Sequence, residues 1–364
     1  MANAFLERIV LGEDRGAASW LIRALLWPAS LLYGAGLWAY LLVYRIGLRK
    51  RYRLGVPVIS VGNLTFGGTG KTPAVQTLCR MLIEQGKRVV VLSRGHGGSA
   101  RGALVASDGE TVFSNSAEAG DEPILLARTL PSVPVVVGKD RRGSGRLAIK
   151  RFSPDVIVLD DGLQYWQLHR DLDIVVLDAR KPFGSGFLMP MGDLREPASG
   201  LRRAGIVLLS NAGSLSGAEY QALASRISRL APRAGLFRCA REPVSFTNVE
   251  SGESRDIGWV KGRRIVAFCG IGRPVSFIDM LEGLGASVEA SVVFPDHYRL
   301  TKLDITRIID EANARGAEAI VTTEKDIARL GDGIAIANLH ALVIRLEIED
   351  STRFAQYYTN RING

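Results

Sequence analysis

The chain predicts an α/β fold: a P-loop NTPase-like parallel sheet, with a smaller α/β lobe joined to it by a β ribbon. Three observations carry this. From residue 56 onward, short continuous apolar runs alternate with helix-patterned segments, the signature of parallel strands covered on both faces. One run leads into a glycine-rich loop ending in Gly70-Lys71-Thr72, with a helical pattern after it. A second β/α alternation starts at Arg263, beyond a pair of short strands joined by Glu250-Ser251-Gly252-Glu253.

The glycine-rich loop is the most informative stretch. Residues 56–61 are apolar and β-branched, as a buried strand requires, and residues 74–83 follow a helical pattern. Between them lie Thr65, Phe66, Gly67, Gly68, Thr69, Gly70, Lys71 and Thr72. Glycines let backbone N–H groups turn inward on a phosphate, and the helix N-terminus adds its positive dipole end. Lys71 is placed to reach β- and γ-phosphates, and Thr72 to offer a hydroxyl to Mg²⁺. Thr65 stands where the usual pattern has its first glycine.

Composition bounds the rest. With 364 residues, the chain holds two domains or one with additions. A net charge of +9 suits acidic partners: nucleic acid, an anionic membrane surface or a phosphorylated substrate. The globular part shows no Lys/Arg run interleaved with aromatics, so nucleic acid is not expected. Cys79, Cys239 and Cys269 stand singly in apolar segments, which points to reduced core residues in a cytosolic compartment rather than a metal cluster.

Residues 24–44 form a run of 21 residues without a charge. As a helix this run is about 30 Å long, enough to cross a hydrocarbon core. Trp27, Tyr33, Trp38, Tyr40 and Tyr44 suit membrane interfaces, while Pro28 and the Gly34/Gly36 pair weaken a straight span. Arg45, Arg49, Lys50, Arg51 and Arg53 follow with no acid among them, so the positive-inside tendency puts all that comes after on the cytoplasmic side.

Strands are expected at 87–92, 133–138, 155–161, 173–177 and 206–209, and a helix at 214–232. The second lobe reads as strands at 265–269, 288–293, 319–322 and 342–346, helices at 275–284 and 302–314, and a short C-terminal tail. The expected domains are 1–50 (anchoring helix and basic flank), 51–235 (P-loop domain), 236–260 (ribbon) and 261–364 (C-terminal lobe).

Asp160 and Asp161 end an apolar strand, the Walker B arrangement in which strand burial fixes a carboxylate beside the P-loop to hold Mg²⁺ directly or through water. Asp121 and Glu122 open a helix, where acids also serve as dipole partners. His297 sits on a polar loop, and Glu324, Lys325 and Asp326 follow a strand; Lys325 and Asp326 are adjacent, so this is not a guanine-reading motif.

In order, the motifs are Gly62-Asn63-Leu64-Thr65 with Gly67-Gly68-Thr69-Gly70-Lys71-Thr72-Pro73, Ser93-Arg94-Gly95, Gly120-Asp121-Glu122-Pro123, Asp160-Asp161-Gly162 with Gln164, Leu194-Arg195-Glu196-Pro197, Phe294-Pro295-Asp296-His297-Tyr298 and Thr323-Glu324-Lys325-Asp326. With the N-terminal apolar helix, this ordered set resembles the tetraacyldisaccharide 4′-kinase (lipid A 4′-kinase) family over essentially the whole chain. The resemblance implies ATP-dependent phosphorylation of the 4′-hydroxyl of an acylated glucosamine disaccharide 1-phosphate, giving lipid IVA. It also implies a monotopic enzyme at the cytoplasmic face of the inner membrane, in contact with inner-membrane lipid; a monomer is expected. Carried over by motif, Asp121 and His297 become a catalytic pair that accepts the sugar hydroxyl's proton. Divided between lobes, such a pair would couple catalysis to closure. Arg195 becomes a candidate for stabilising phosphoryl charge. Glu122, Asp160 and Asp161 become candidates for the Mg²⁺ environment.

Three stretches depart from the family pattern. His96 stands where Ser-Arg-Gly is usually followed by Tyr. Leu163, Tyr165 and Trp166 replace Phe, His and Arg, and Asp193 replaces Pro. The competing reading is a membrane-tethered P-loop NTPase switch or metallochaperone-type GTPase. It needs a guanine motif and a Cys or His cluster, and neither is visible. A soluble-substrate P-loop kinase or ligase is a third reading, which the apolar helix opposes.

Overall fold

The computed structural model describes residues 8–12, 14, 16–296, 298–330 and 336–362. The chain gathers into two compact units, and neither is continuous in sequence. One draws on Met1–Leu92, Arg141–Ala240 and Glu347–Gly364; the other on Ser93–Asp140 and Arg241–Leu346.

The first unit starts with helix α1 (Ala17–Arg45), which runs through Pro28 without a break. Its strands are β1 (Val58–Gly62), β2 (Val89–Ser93, whose last residue falls to the other unit), β5 (Val156–Asp160), β6 (Leu172–Asp178), β7 (Ile206–Ser210) and the opening of β8 (Gly235–Asn248). All their pairings are parallel, in the order β2-β5-β1-β6-β7-β8. β1, β2, β5, β6 and β7 are buried along their whole length, which is why they read as continuous apolar runs rather than alternating ones. Helices α2 (Lys71–Glu84), α5 (Arg141–Phe152), α6 (Gly217–Leu230) and α10 (Ser351–Ile362) belong to the same unit. One core beneath α6 joins Val175, Leu177, Val207, Leu209 and Ile227 to Leu64, Leu163 and Leu194 from the loops at the strand ends. Register does the positioning: Val61 pairs with Asp160, so the chain leaves β1 for the P-loop beside the carboxylates that end β5.

The second unit holds a parallel array in the order β11 (Ser287–Val293), β10 (Arg264–Cys269), β12 (Ala319–Thr323), β13 (Leu339–Ile348). Helices α7 (Pro274–Gly283), α8 (Lys302–Ala314) and α9 (Glu324–Arg329) connect these strands. A capping box fixes the start of α8, with Thr301 and Asp304 each bonding the other's backbone N–H. The far half of β8 forms the expected ribbon, with Phe246 paired antiparallel to Arg255 of β9 (Ser254–Asp256). The segment from Ser93 to Asp140 supplies an antiparallel pair, β3 (Leu104–Ser107) with β4 (Val135–Val137), and helices α3 (Ser116–Ala119) and α4 (Asp121–Thr129).

At four residues, Leu104-Val105-Ala106-Ser107, β3 is too short to stand out as a run. The C-terminal "tail" is the helix α10, whose Phe354 and Tyr358, one turn apart, are fully buried.

Candidate active site

In the first unit, backbone geometry sets the phosphate loop. Gly70 takes φ 100° immediately before α2, a left-handed turn that a side chain would resist, and it aims the helix N-terminus back at the loop. Lys71 Nζ lies 3.1 Å from Asn63 Oδ1, so the lysine is held over the loop by a residue from its base. Thr69 Oγ1 and Asn63 Nδ2 are buried and meet no hydrogen-bond partner among the described residues. A loop built this way leaves polar atoms for a ligand to satisfy, and phosphate oxygens suit the Asn63 amide and the Thr69 hydroxyl.

Residues 193–195 strap the front of that loop. Phe66 N–H donates to the Asp193 carbonyl (2.8 Å), Arg195 N–H donates to the Leu64 carbonyl (2.9 Å), and Thr65 bridges Leu194. The strap delivers Arg195, whose guanidinium lies 4.6 Å from the Phe66 ring centre and donates to both oxygens of Asp161 (2.8 and 3.0 Å). Burial pushes the Asp161 carboxyl up, but the positive charges of Lys71, Arg195 and Arg141 outweigh it and hold the group below the usual carboxylate range. Asp161 also sits at φ 50°, turning the chain sharply after β5. Asp160, at the strand's end, is buried.

The structure thus brings together Lys71, the loop residues Thr65 to Thr72, Asp161 and Arg195, with Asp160 at the end of the strand beside β1. Sequence reasoning missed three supports. Glu196 is buried and takes hydrogen bonds from Arg203 (2.5 and 2.6 Å) and Gln164 (2.7 Å), locking the strap from behind. Arg141 is buried and donates to the Asp160 carbonyl (3.2 Å). Tyr165, at one of the atypical positions, accepts the Arg141 backbone N–H (3.1 Å).

The second unit holds the other motifs. Gly120 (φ 94°) packs so tightly that a Cβ there would lie 2.6 Å from the His96 carbonyl, and this close approach fixes the start of α4 and hence Asp121. Asp121 Oδ2 accepts from Arg329 Nε at 2.9 Å. Arg329 also bonds Asp296 (3.3 Å), Asp326 (3.3 Å) and the Gly270 carbonyl. Burial raises the Asp326 carboxyl, against the pull of the Thr323 hydroxyl and of Arg329. Glu122 lies in the same first turn of α4. His297 falls outside the described residues. Its neighbour Tyr298 stacks on Phe294, ring centres 5.2 Å apart.

Asp121 therefore joins the unit built on residues 241–346, whereas the sequence grouped it with the P-loop domain and set the Asp121/His297 pair across two lobes. The reason is non-local: α4 packs on α9, where the Arg128 guanidinium reaches the Ile327 carbonyl (3.0 Å) and Arg329 reaches Asp121.

Helix α1 is inverted relative to a helix of a soluble core. Its buried residues include Ser19, Arg23 and Ser30, while Trp20, Leu21, Leu25, Trp27, Leu31, Leu32 and Trp38 are exposed. Among the described residues it is long and apolar enough to cross a membrane. Its polar side is bonded to the strap region: Ser30 Oγ donates to the Leu188 carbonyl (3.0 Å) and Tyr33 Oη to the Arg195 carbonyl (2.6 Å). Past its C-terminal end lies a cavity of about 400 Å³ lined by Tyr44, Arg49, Lys50, Arg51, Tyr52, Arg142 and Gln167, four of them cations and none an acid.

Compared with protein families, residues 22–363 match the profile described as tetraacyldisaccharide-1-P 4′-kinase, LpxK. The chain belongs to this family. It is a kinase, as are its curated relatives of the family. The tetraacyldisaccharide 4′-kinase of Anaeromyxobacter sp. (strain K) is 42% identical over 340 residues, covering 93% of this chain and 88% of the relative. That of Syntrophus aciditrophicus (strain SB) is 42% identical over 311 residues, covering 83% and 82%. Among solved structures, LpxK from Aquifex aeolicus in complex with ATP superposes with a TM-score of 0.76 at 33% identity, over 94% of this chain and 99% of that one.

Proposed function

We propose that this kinase transfers the γ-phosphoryl group of ATP to the 4′-hydroxyl of tetraacyldisaccharide 1-phosphate, giving lipid IVA, at the cytoplasmic face of the inner membrane. The observation that carries the reading is the Tyr33–Arg195 bond: an outward-apolar helix is tied to the strap that holds an arginine against the phosphate loop and Asp161. A site of this build serves a phosphorylated donor and an acceptor delivered from lipid. The basic cavity at the end of α1 suits the phosphate headgroups of the bilayer surface.

The chemistry follows from charge. Phosphoryl transfer needs positioning and neutralisation of the charge on the transferring group. Lys71 supplies one cation at the loop. Arg195, fixed by Asp161 and by stacking on Phe66, supplies a second whose direction is set before substrate arrives. On the acceptor side, Asp121 with His297 takes the proton of the attacking hydroxyl, and Glu122 directly follows Asp121 in the chain.

Mg²⁺ fits the donor set, since Asp160, Asp161 and the Thr72 hydroxyl are hard oxygen ligands of the kind that share Mg²⁺ with nucleotide phosphates. When bound there it supplies charge neutralisation on the phosphates. Because Arg195 already occupies both oxygens of Asp161, Asp160 is the primary ligand in this reading.

The deciding assay incubates the purified protein with ATP, Mg²⁺ and tetraacyldisaccharide 1-phosphate. A lipid product carrying one more phosphate is expected; GTP hydrolysis without such a product would instead favour the switch-type NTPase. Lys71→Ala is expected to lower kcat at least about 10²-fold by removing a charge-stabilising cation. His297→Ala is expected to lower kcat by roughly 10²–10⁴-fold with ATP binding intact, the scale of general-base loss. Wild-type turnover in either variant removes that residue from the mechanism.

A further inference from the structure

We propose that Arg329, which no family motif named above includes, is the positioning residue for Asp121, holding that carboxylate in the geometry the reaction needs. The inference rests on the reading of Asp121 as part of the acceptor-activating pair.

The geometry is unlike an ordinary structural ion pair. The Arg329 side chain is 1% exposed, while Asp121 and Asp296 are 13% and 38% exposed. The guanidinium thus lies beneath two carboxylates that reach the surface, and it holds them from behind. Each of its nitrogens has a separate task. Nε takes Asp121, Nη2 takes Asp296, and Nη1 takes Asp326 and the Gly270 carbonyl. Those partners come from four places in the chain: the first residue of α4, the loops after β10 and β11, and α9 itself. The planar fork is what allows one side chain to fix all four directions at once, and a lysine ammonium cannot reproduce it.

The base of the fork is itself fixed. Asp326 accepts from the Thr323 hydroxyl (2.6 Å) and the Gly270 N–H (3.0 Å), so Arg329 is clamped at its root before it reaches Asp121. Asp296, the second surface carboxylate on the fork, directly precedes His297 in the chain. One buried cation therefore sets the separation of the Asp121 carboxylate from the loop that bears His297. A buried arginine facing three carboxylates is expensive to desolvate, and a purely apolar plug would serve stability as well. Placement of partly exposed carboxylates is something an apolar plug does not provide.

The test compares Asp121→Asn, Arg329→Met, Arg329→Lys and the Asp121→Asn/Arg329→Met double variant in the full-length protein, at saturating ATP and lipid. Each is checked for folding by thermal melting. Arg329→Met is expected to lower kcat about 10²-fold, the scale of misplacing a reacting group by roughly 1 Å, with KM for ATP unchanged. Arg329→Lys should recover part of the loss. The double variant should be no slower than Asp121→Asn alone, because a residue that acts through another adds nothing once that one is gone. If Arg329→Met does not fold, the cycle is read with Arg329→Lys in its place. A folded Arg329 variant with wild-type kcat overturns the inference, as does a double variant whose losses multiply or a loss confined to KM for ATP. Asp121→Asn at wild-type rate removes Asp121 from the reaction, and this inference with it. An inactive Asp121→Asn beside fully active Arg329 variants sinks the inference alone and leaves the proposed function standing.

Discussion

Asp161 shows how one carboxylate at the end of a strand acquires a role through its neighbours. It takes two hydrogen bonds from Arg195, and three cations keep it ionised in spite of burial. Arg195→Ala releases that carboxylate and removes the cation over Phe66, so kcat should fall by about 10²-fold or more, with a smaller effect from Arg195→Lys; equal rates in all three proteins would take Arg195 out of the mechanism. A second carboxylate gives a clean test of pH dependence. The Arg88 guanidinium and the Arg88 backbone N–H both bond Asp155, just before β5, and lower its pKa from 3.8 to about 2. A depressed carboxylate contributes stability that is present above pH 3.8 and lost as pH falls toward 2. Asp155→Asn should therefore lower the urea midpoint at pH 6 and have a smaller effect at pH 3. A constant difference would show that the pair's charge is irrelevant. At this scale two contiguous motifs were legible from the residues themselves, the phosphate loop and the Asp160-Asp161 strand end, whereas Arg195 entered only through the family resemblance. Arg329 and Arg141 were not legible, because their partners lie far off in sequence. Arg329 meets Asp121 across 208 positions, and no window contains both.

At the scale of elements, the parallel strands were readable because burial on both faces demands unbroken apolar runs. Helix α10 was not. Its buried face rests on Phe354 and Tyr358 in an otherwise polar segment, and two residues one turn apart are a weak signal. Yet Phe354 stacks edge-on to Phe237 of β8 (5.3 Å), and the Tyr358 hydroxyl takes a hydrogen bond from Gln85 just after α2 (2.6 Å). Phe354→Ala should cost about 3–5 kcal/mol in urea unfolding, the usual price of emptying an aromatic core site, while KM for ATP stays near wild type. Helix α1 was legible as an apolar run, but its bonds through Ser30 and Tyr33 were not. Deleting residues 1–44 should release the protein from vesicles only in part if the basic cavity also binds anionic headgroups. Complete release would make α1 the sole anchor.

For the whole molecule, nothing in the linear sequence hints that the two units alternate along the chain. Linear reading divides a chain at composition shifts and set the ribbon at residues 236–260, whereas β8 opens paired to β7 and meets β9 only from Ser245 onward. Residues 93–140 leave one unit for the other, and 347–364 return to the first. The causes are contacts of high sequence separation, such as Arg329 with Asp121 and Phe354 with Phe237, which leave no local trace. The order of synthesis follows from this. α1 emerges early, whereas the nucleotide-binding unit lacks α10 until residues 351–362 have been made. The nascent chain can present its apolar helix while its P-loop unit still lacks α10, and that unit is complete only after translation has passed the whole of the other unit.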